Sequence, residues 1–506
     1  MISLDGRSLD LDDVAAVARR GERVRLMAAA ARRVEANRRA LERSISEGAV
    51  AYGITTGFGE LANVAIPEAD VRKLQLNLLR SHAVGQGEPV RTDEARASIL
   101  LRANTLALGR SGVRKVLVAR LLDLLNRRVH PVIPSRGSLG ASGDLAPLAH
   151  LGLVLVGEGR AEYRGRTFAG REALRRAGVA PLVLESKEGL AIINGTSVMA
   201  GVGALAVHDG LRLLKDAQVA ASIAFEALRG SPKPYDDRLV VLKPQAGVRD
   251  VAANMRRLLR RSEIIPSHRG PHKVQDPYTL RCIPQVLGAC RAALDTAATV
   301  VRIEMNSATD NPLILPDGRS VSGGNFHGQA VAMALDHVAL AMAVLAGFTE
   351  RRIARLVDSR LSELPPFLTE KSGLNSGMMI LQYVAAGYAS DNKVLAHPAS
   401  ADSIPTSANQ EDFVPMGMSA ACKAREAIEN AAHVVAMEYL AAAQGLEFLQ
   451  PLRPGVGPRA AYARIRGSIP RLVDDRSLAG DVDRILGWMK DGALVAAAEA
   501  ASGGLA

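Results

Sequence analysis

Residues Gln329 to Val357, QAVAMALDHVALAMAVLAGFTERRIARLV, contain no proline and a single glycine, Gly347. Within this stretch Ala334, Val338, Ala341 and Val344 recur at three- and four-residue spacing and are all small or aliphatic. That spacing predicts one long helix whose apolar face lies inside a helical bundle. Moving outward, similar patterns predict helices within Leu9–Ser46, Glu68–Arg80, Thr92–Asn126 (broken at Gly109-Arg110-Ser111-Gly112), Ser376–Asp391, Met416–Gln444 and Ala479–Ala501. Segments 160–170 and 310–322 mix Gly, Thr, Asp and Arg with short apolar runs and read as small hairpins or excursions. No internal repeat or low-complexity tract interrupts the pattern.

The composition agrees with a mainly α protein. Hydrophobic residues make up 48% of the 506 residues and aromatics only 3%, so Ala, Leu and Val must fill the interior, which suits close helix-on-helix packing. Lys and Arg outnumber Asp and Glu by 63 to 52, and Arg256, Arg257, Arg260 and Arg261 form a basic patch. The patch interleaves with Leu258 and Leu259 and has no aromatic stacking residues, so it reads as a solvated helix face and not as a nucleic-acid surface. Cys282, Cys290 and Cys422 are an odd number without C-x-x-C spacing, which argues against a disulfide framework or a zinc site and for a reducing, cytoplasmic location. Asp5, Asp10, Asp12 and Asp13 occupy the region where a secretory signal would need an apolar run. The uncharged stretch from 189 to 207 resembles a membrane span in length, but Asn194, Thr196, Ser197 and its glycines mark it as a buried loop and helix. No metal-ligand cluster stands out, and no metal is expected.

Two glycine-rich loops break the helical text. Tyr52 to Gly59 holds three glycines and two threonines. The second, Pro134 to Asp144, ends in Gly140-Ala141-Ser142-Gly143-Asp144 and runs into an apolar helix pattern near Leu145. Three readings of the second loop are open: a plain turn, a phosphate cradle built on Gly137, Gly140 and Gly143, or special chemistry. In the last case, attack of the Gly143 nitrogen on the Ala141 carbonyl carbon would close a five-membered ring. Loss of water from the ring and from Ser142 would then leave an exocyclic methylidene, an electrophile that no unmodified side chain supplies.

Gly140-Ala141-Ser142-Gly143-Asp144-Leu145-Ala146-Pro147-Leu148 resembles the signature of the histidine and phenylalanine ammonia-lyase family. The resemblance extends over nearly the whole chain through Tyr52–Gly59, Ile193-Asn194-Gly195-Thr196, Gln275–Arg281, Gly324-Asn325-Phe326-His327-Gly328 and Ser407–Asp412. It implies a prosthetic group, 4-methylideneimidazol-5-one, formed from Ala141, Ser142 and Gly143. It also implies a large helical bundle of the fumarase and aspartase type with a loop-rich N-terminal active-site region. The expected organisation is residues 1–195 around the prosthetic-group loop, a central long-helix bundle at 196–420 and a C-terminal helical region at 421–506. The family assembles as a homotetramer with sites built from three subunits; neither nucleic acid nor a membrane is expected as a partner.

The resemblance also assigns roles. Tyr52 is the candidate base for the β-proton, its phenol needing a value well below the usual 10. Tyr278 would assist proton transfer or hydrogen-bond the intermediate. Arg281 would take the substrate carboxylate through its planar fork. Asn194 and Gln275 would hold the amino group, the carboxylate or the prosthetic carbonyl, and Phe326 would pack near the triplet. His82 would face the substrate ring and Glu411 would accept a hydrogen bond from an imidazole, so histidine is the favoured substrate and urocanate the product. Two departures, Phe413-Val414-Pro415 where His-Val-Ser is typical and Met378 where Phe is common, keep a tyrosine or phenylalanine lyase or an aromatic 2,3-aminomutase as the alternative.

Overall fold

Alternating blocks of alanine-rich helix and glycine-rich loop produce a predominantly helical chain with short strands at the loop ends. The computed structural model describes residues 1–48, 56–57, 66–268 and 274–506. Four long helices dominate: Ser197–Ala227, Ile283–Glu304, Gln329–Val357 and Gly417–Glu447. The Gln329–Val357 bounds coincide with those read from the sequence, and both expected hairpins form, as Arg160–Tyr163 with Arg166–Ala169 and Leu313–Ile314 with Ser320–Val321.

The apolar face of Gln329–Val357 departs from the expected one at Val344. Ala334, Val338 and Ala341 are buried, but Val344 is 45% exposed and Leu345 is the buried residue. At about 100° per residue, position 345 returns to the azimuth of 334 whereas 344 falls some 80° away from it. Ser197–Ala227 and Gln329–Val357 are both long and apolar enough to cross a membrane by composition, and most of each such window is buried within the chain.

The chain divides into two units. The first comprises Met1–His208, Ala297–Asp336 and Pro398–Lys423; the second comprises Asp209–Thr296, His337–His397 and Ala424–Ala506. Every strand of the described residues falls in the first unit. There Gln86–Pro89 pairs antiparallel with Pro134–Arg136, which ties the segment after His82 to the segment leading into the glycine loop. Helix Leu145–Leu155 packs against Val71–His82 and Glu188–Ile193. The three helices meet at Gly152, where an added Cβ would lie 2.8 Å from Leu79 Cδ2 and 2.9 Å from Ile192 Cγ2. Only glycine lets them approach so closely. The second unit is held internally by the fully buried pair Arg352–Glu438 and by Tyr439, whose hydroxyl donates to Asp216 at 3.2 Å. In this unit Arg256 bonds Asp237 and the Tyr235 carbonyl, Arg257 bonds Asn254, and Arg260 bonds the Ser502 carbonyl, so three of the four arginines of the basic patch make internal contacts, while Arg261 is exposed.

Candidate active site

The glycine loop departs from ordinary backbone at Gly137, Gly140 and Gly143, whose φ values are +128°, +83° and +77°. Gly143 forms a parallel bridge with Gly195: the Gly195 nitrogen donates to the Ser142 carbonyl at 3.2 Å, and the Asp144 nitrogen donates to the Gly195 carbonyl at 2.8 Å. A Cβ on Gly143 would sit 2.2 Å from the Gly195 carbonyl, so side-chain-free backbone is required on both steric and conformational grounds. Ala141 is buried against Val414 and Met416 with Leu139 and Ala399 beside it, while Ser142 is half-buried. These features suit a triplet that folds back on itself: a glycine without a side chain in the way, a small alanine, and a serine held by its hydroxyl and its carbonyl.

Asp144 fastens the loop. It precedes helix Leu145–Leu155 but does not cap it; instead its carboxylate accepts from the Val198 and Met199 nitrogens at 2.7 and 2.9 Å, at the start of Ser197–Ala227, and from Ser138 Oγ at 2.8 Å. A carboxylate at a helix N-terminus satisfies orphan donors and meets the positive end of the dipole. Burial nevertheless raises its pKa to about 6, against the opposing pull of those hydrogen bonds and of Arg102. Sequence reading gave Asp144 no role, although its place next to the triplet was a usable signal.

Glu411 reaches the triplet directly. Ser142 Oγ donates to Glu411 Oε1 at 2.7 Å, and Thr406 Oγ1 donates to Oε2 at 3.3 Å. The carboxylate stands on a tight loop closed by reciprocal backbone bonds between Thr406 and Glu411. Within it Ser407, Ala408 and Asn409 all have left-handed φ, between 51° and 65°. Three consecutive non-glycine residues in that region are costly, and such strain is kept where the surroundings impose it. His82 ends helix Val71–His82, with Nδ1 2.9 Å from the Leu78 carbonyl and 3.0 Å from Ser81 Oγ. An Nδ1–H donating to Leu78 leaves the Nε2 lone pair available. Burial pushes the His82 imidazole below its usual value, while its bond to the Leu78 carbonyl and the negative charge of Glu411 pull it back up in part.

Asn194 is buried and its Oδ1 finds no partner among the described residues, an acceptor held without a donor. Phe326 is half-buried, two residues before Gly328, whose nitrogen donates to the Gly140 carbonyl at 3.1 Å. Nearby, His327 Nε2 donates to the Phe413 carbonyl at 3.2 Å and its ring stacks on Phe413 with centroids 6.3 Å apart. Thus Ala141, Ser142, Gly143, His82, Asn194, Phe326 and Glu411 all belong to the first unit.

Gln275, Tyr278 and Arg281 belong to the second unit, around the short helix Tyr278–Arg281. Tyr278 is 68% exposed and the Arg281 guanidinium lies over its ring, 4.6 Å from the centroid. Arg281 Nε is buried without an acceptor among the described residues, and Gln275 is exposed. Tyr52 lies outside the described residues. No cluster of potential metal ligands occurs among the described residues.

The sequence profile described as aromatic amino acid lyase matches residues 9–467. A histidine ammonia-lyase from Alkaliphilus oremlandii is 50% identical over 501 residues, covering 99% of each chain. Among solved structures, histidine ammonia-lyase from Trypanosoma cruzi superposes with a TM-score of 0.92 at 38% identity, over 99% of this chain and 95% of that one. The tyrosine aminomutase from Streptomyces globisporus superposes with a TM-score of 0.95 at 36% identity, over 99% of both chains.

Proposed function

Because the chain belongs to the aromatic amino acid lyase family, a family of carbon–nitrogen lyases, we propose that its reaction is the non-oxidative deamination of L-histidine to trans-urocanate and ammonia. In this reading Ala141, Ser142 and Gly143 mature into 4-methylideneimidazol-5-one, which supplies an electrophile to activate the substrate for loss of ammonia. The left-handed, side-chain-free turn at Gly143 and the buried Ala141 support that assignment.

The observation that carries the choice of histidine is the 2.7 Å bond from Ser142 Oγ to Glu411 Oε1. Departure of that hydroxyl during maturation frees a carboxylate oxygen beside the triplet, where it accepts the N–H of a substrate imidazole. A phenyl ring has no N–H to offer, and a phenol donates only from its para hydroxyl, beyond the ring edge. With Nδ1–H directed at the Leu78 carbonyl, His82 offers its Nε2 lone pair as a second acceptor. Asn194 Oδ1, a buried acceptor without a donor, suits an ammonium group. Arg281 is assigned to the substrate carboxylate, Gln275 to polar contacts around it, Tyr278 and Tyr52 to proton transfer, and Phe326 to packing by the triplet; these five roles rest on the motif matches.

A cytoplasmic homotetramer completes the proposal. Supporting the assembly, Met333, Leu340 and Val344 form an exposed apolar stripe along Gln329–Val357, and Ile380, Tyr383 and Val384 are exposed on Met379–Leu395. The test of the substrate is to incubate the purified protein separately with L-histidine, L-tyrosine and L-phenylalanine and identify the products by mass spectrometry. Urocanate from histidine is expected. Absence of urocanate together with an arylacrylate or a β-amino acid from tyrosine or phenylalanine would reject histidine in favour of the alternative lyase or aminomutase.

A further inference from the structure

Behind the triplet lies a cation that none of the assigned roles uses. Arg102 sits on helix Thr92–Ala107, whose residues from Glu94 onward are all buried, and its side chain is fully enclosed. Its Nη1 donates to the Asn194 carbonyl at 2.6 Å, while Nε and Nη2 meet no acceptor among the described residues. The nearest carboxylates are otherwise engaged. Asp310 accepts from the buried Lys187 at 2.8 and 2.9 Å and from the Asn311 nitrogen at 2.7 Å, and Asp144 accepts from Val198, Met199 and Ser138. A Cβ on Gly195 would lie 2.6 Å from Arg102 Nη1 and 2.1 Å from the Thr309 carbonyl, so the cation presses against the peptide that bridges the triplet.

The contacts run in series. Arg102 bonds the carbonyl of the Asn194–Gly195 peptide, and the nitrogen of that same peptide donates to the Ser142 carbonyl at 3.2 Å. A cation on a peptide's oxygen draws electrons from its nitrogen and makes the N–H a stronger donor, more so in a low-dielectric interior. The Ser142 carbonyl is the group whose polarisation matters twice in the proposed chemistry. It acidifies the Ser142 Cα–H, which must leave together with the hydroxyl to give water and the carbon–carbon double bond. Afterwards, a nucleophile that bonds to the methylidene carbon sends the double-bond electron pair toward that same carbonyl oxygen, and a proton from solvent later completes the adduct.

We propose that Arg102 is a positioning residue which, through the Asn194–Gly195 peptide, polarises the Ser142 carbonyl and so promotes both dehydration of Ser142 and nucleophilic addition to the resulting alkene. The inference rests on the prosthetic-group reading above. A donor held ready where negative charge develops, at no reorganisation cost, is a large contributor in enzymes generally.

The test uses the purified full-length protein and its Arg102→Lys, Arg102→Gln and Arg102→Met variants, with folding checked by circular dichroism. Two readouts are taken: the fraction of chains lighter by two waters in intact-mass spectra, and the rate at which potassium cyanide adds to those chains, followed by mass. The neutral variants should mature less completely and add cyanide at least about tenfold more slowly, while Arg102→Lys stays within about threefold of the unaltered protein. A folded neutral variant with the full two-water deficit and an unaltered cyanide rate overturns the proposal. So does failure of both neutral variants to fold, since Arg102 is then a structural residue. If the unaltered protein itself carries no two-water deficit, the prosthetic-group reading fails instead, and that outcome is distinguishable from the others.

Discussion

Ser142 is held by its hydroxyl and by its carbonyl, and the proposed chemistry needs both groups in different ways. The hydroxyl, bonded to Glu411, must leave; the carbonyl, bonded to Gly195, must stay and draw electrons. Ser142→Ala is therefore expected to fold with an unchanged circular dichroism spectrum, keep its encoded mass and lose detectable turnover of histidine. Full activity in that variant contradicts the assignment. Glu411→Ala removes a half-buried acceptor at the end of an exposed loop, so its effect should fall on the rate and not on folding. A loss of about 10²–10³-fold in kcat/KM for histidine is expected from a charge-assisted hydrogen bond used in the transition state, with a stability change under about 1 kcal/mol. An unchanged rate removes Glu411 from the site. The sequence made Ser142 and Glu411 visible because each stands in an unusual local pattern. Arg102 was invisible, being one arginine in a helical stretch whose only distinction is complete burial.

At the scale of elements, the glycines report where parts must touch. Gly152 brings Leu145–Leu155 against Leu79 and Ile192, and that helix begins one residue after the Ser142-Gly143-Asp144 turn. Gly152→Val is expected to cost about 1–3 kcal/mol by overpacking. Because the wedge displaces the helix that follows the triplet, the fraction of chains carrying the two-water deficit should fall with it, as intact-mass spectra would show; full maturation despite a lowered thermal midpoint would mean the helix does not fix the loop. Helix Gln329–Val357 was legible to its ends, since its period is unbroken and Gly347 is its only weak point. The exposure of Val344 is not legible in the sequence, because an apolar residue some 80° off the stripe has the same composition as one on it. The grip of Asp144 on the next helix was not legible either: it joins residues more than fifty positions apart, at 2.7 and 2.9 Å, and periodicity carries no information at that separation.

For the whole molecule, family membership and helical class were readable from six motifs and from alanine-rich periodicity, whereas the interleaving of three chain segments in each unit was not. Charges enclosed within each unit have consequences for stability. Arg352 and Glu438 are both fully buried, so Arg352→Met leaves an uncompensated carboxylate and should destabilise the protein by about 3–5 kcal/mol in urea unfolding; a change below 1 kcal/mol would show that the pair is dispensable. Burial raises the Asp216 carboxyl from 3.8 to about 7, with the Tyr439 hydroxyl pulling it back only in part. Between those values the folded chain keeps a proton that the unfolded chain has released, so this group's contribution to stability falls as pH rises through that window. Asp216→Asn should therefore reduce the drop in urea midpoint between about pH 5 and about pH 8 relative to the unaltered protein. An identical drop in the variant would mean Asp216 stays ionised when folded.

The central claim is that the Ala141-Ser142-Gly143 backbone closes on itself and sheds water. Intact-protein mass spectrometry of the purified, denatured chain measures this directly. A mass below the encoded value by two waters, localised to the peptide containing Ser142, is the predicted result; the full encoded mass, with the serine hydroxyl retained, contradicts it.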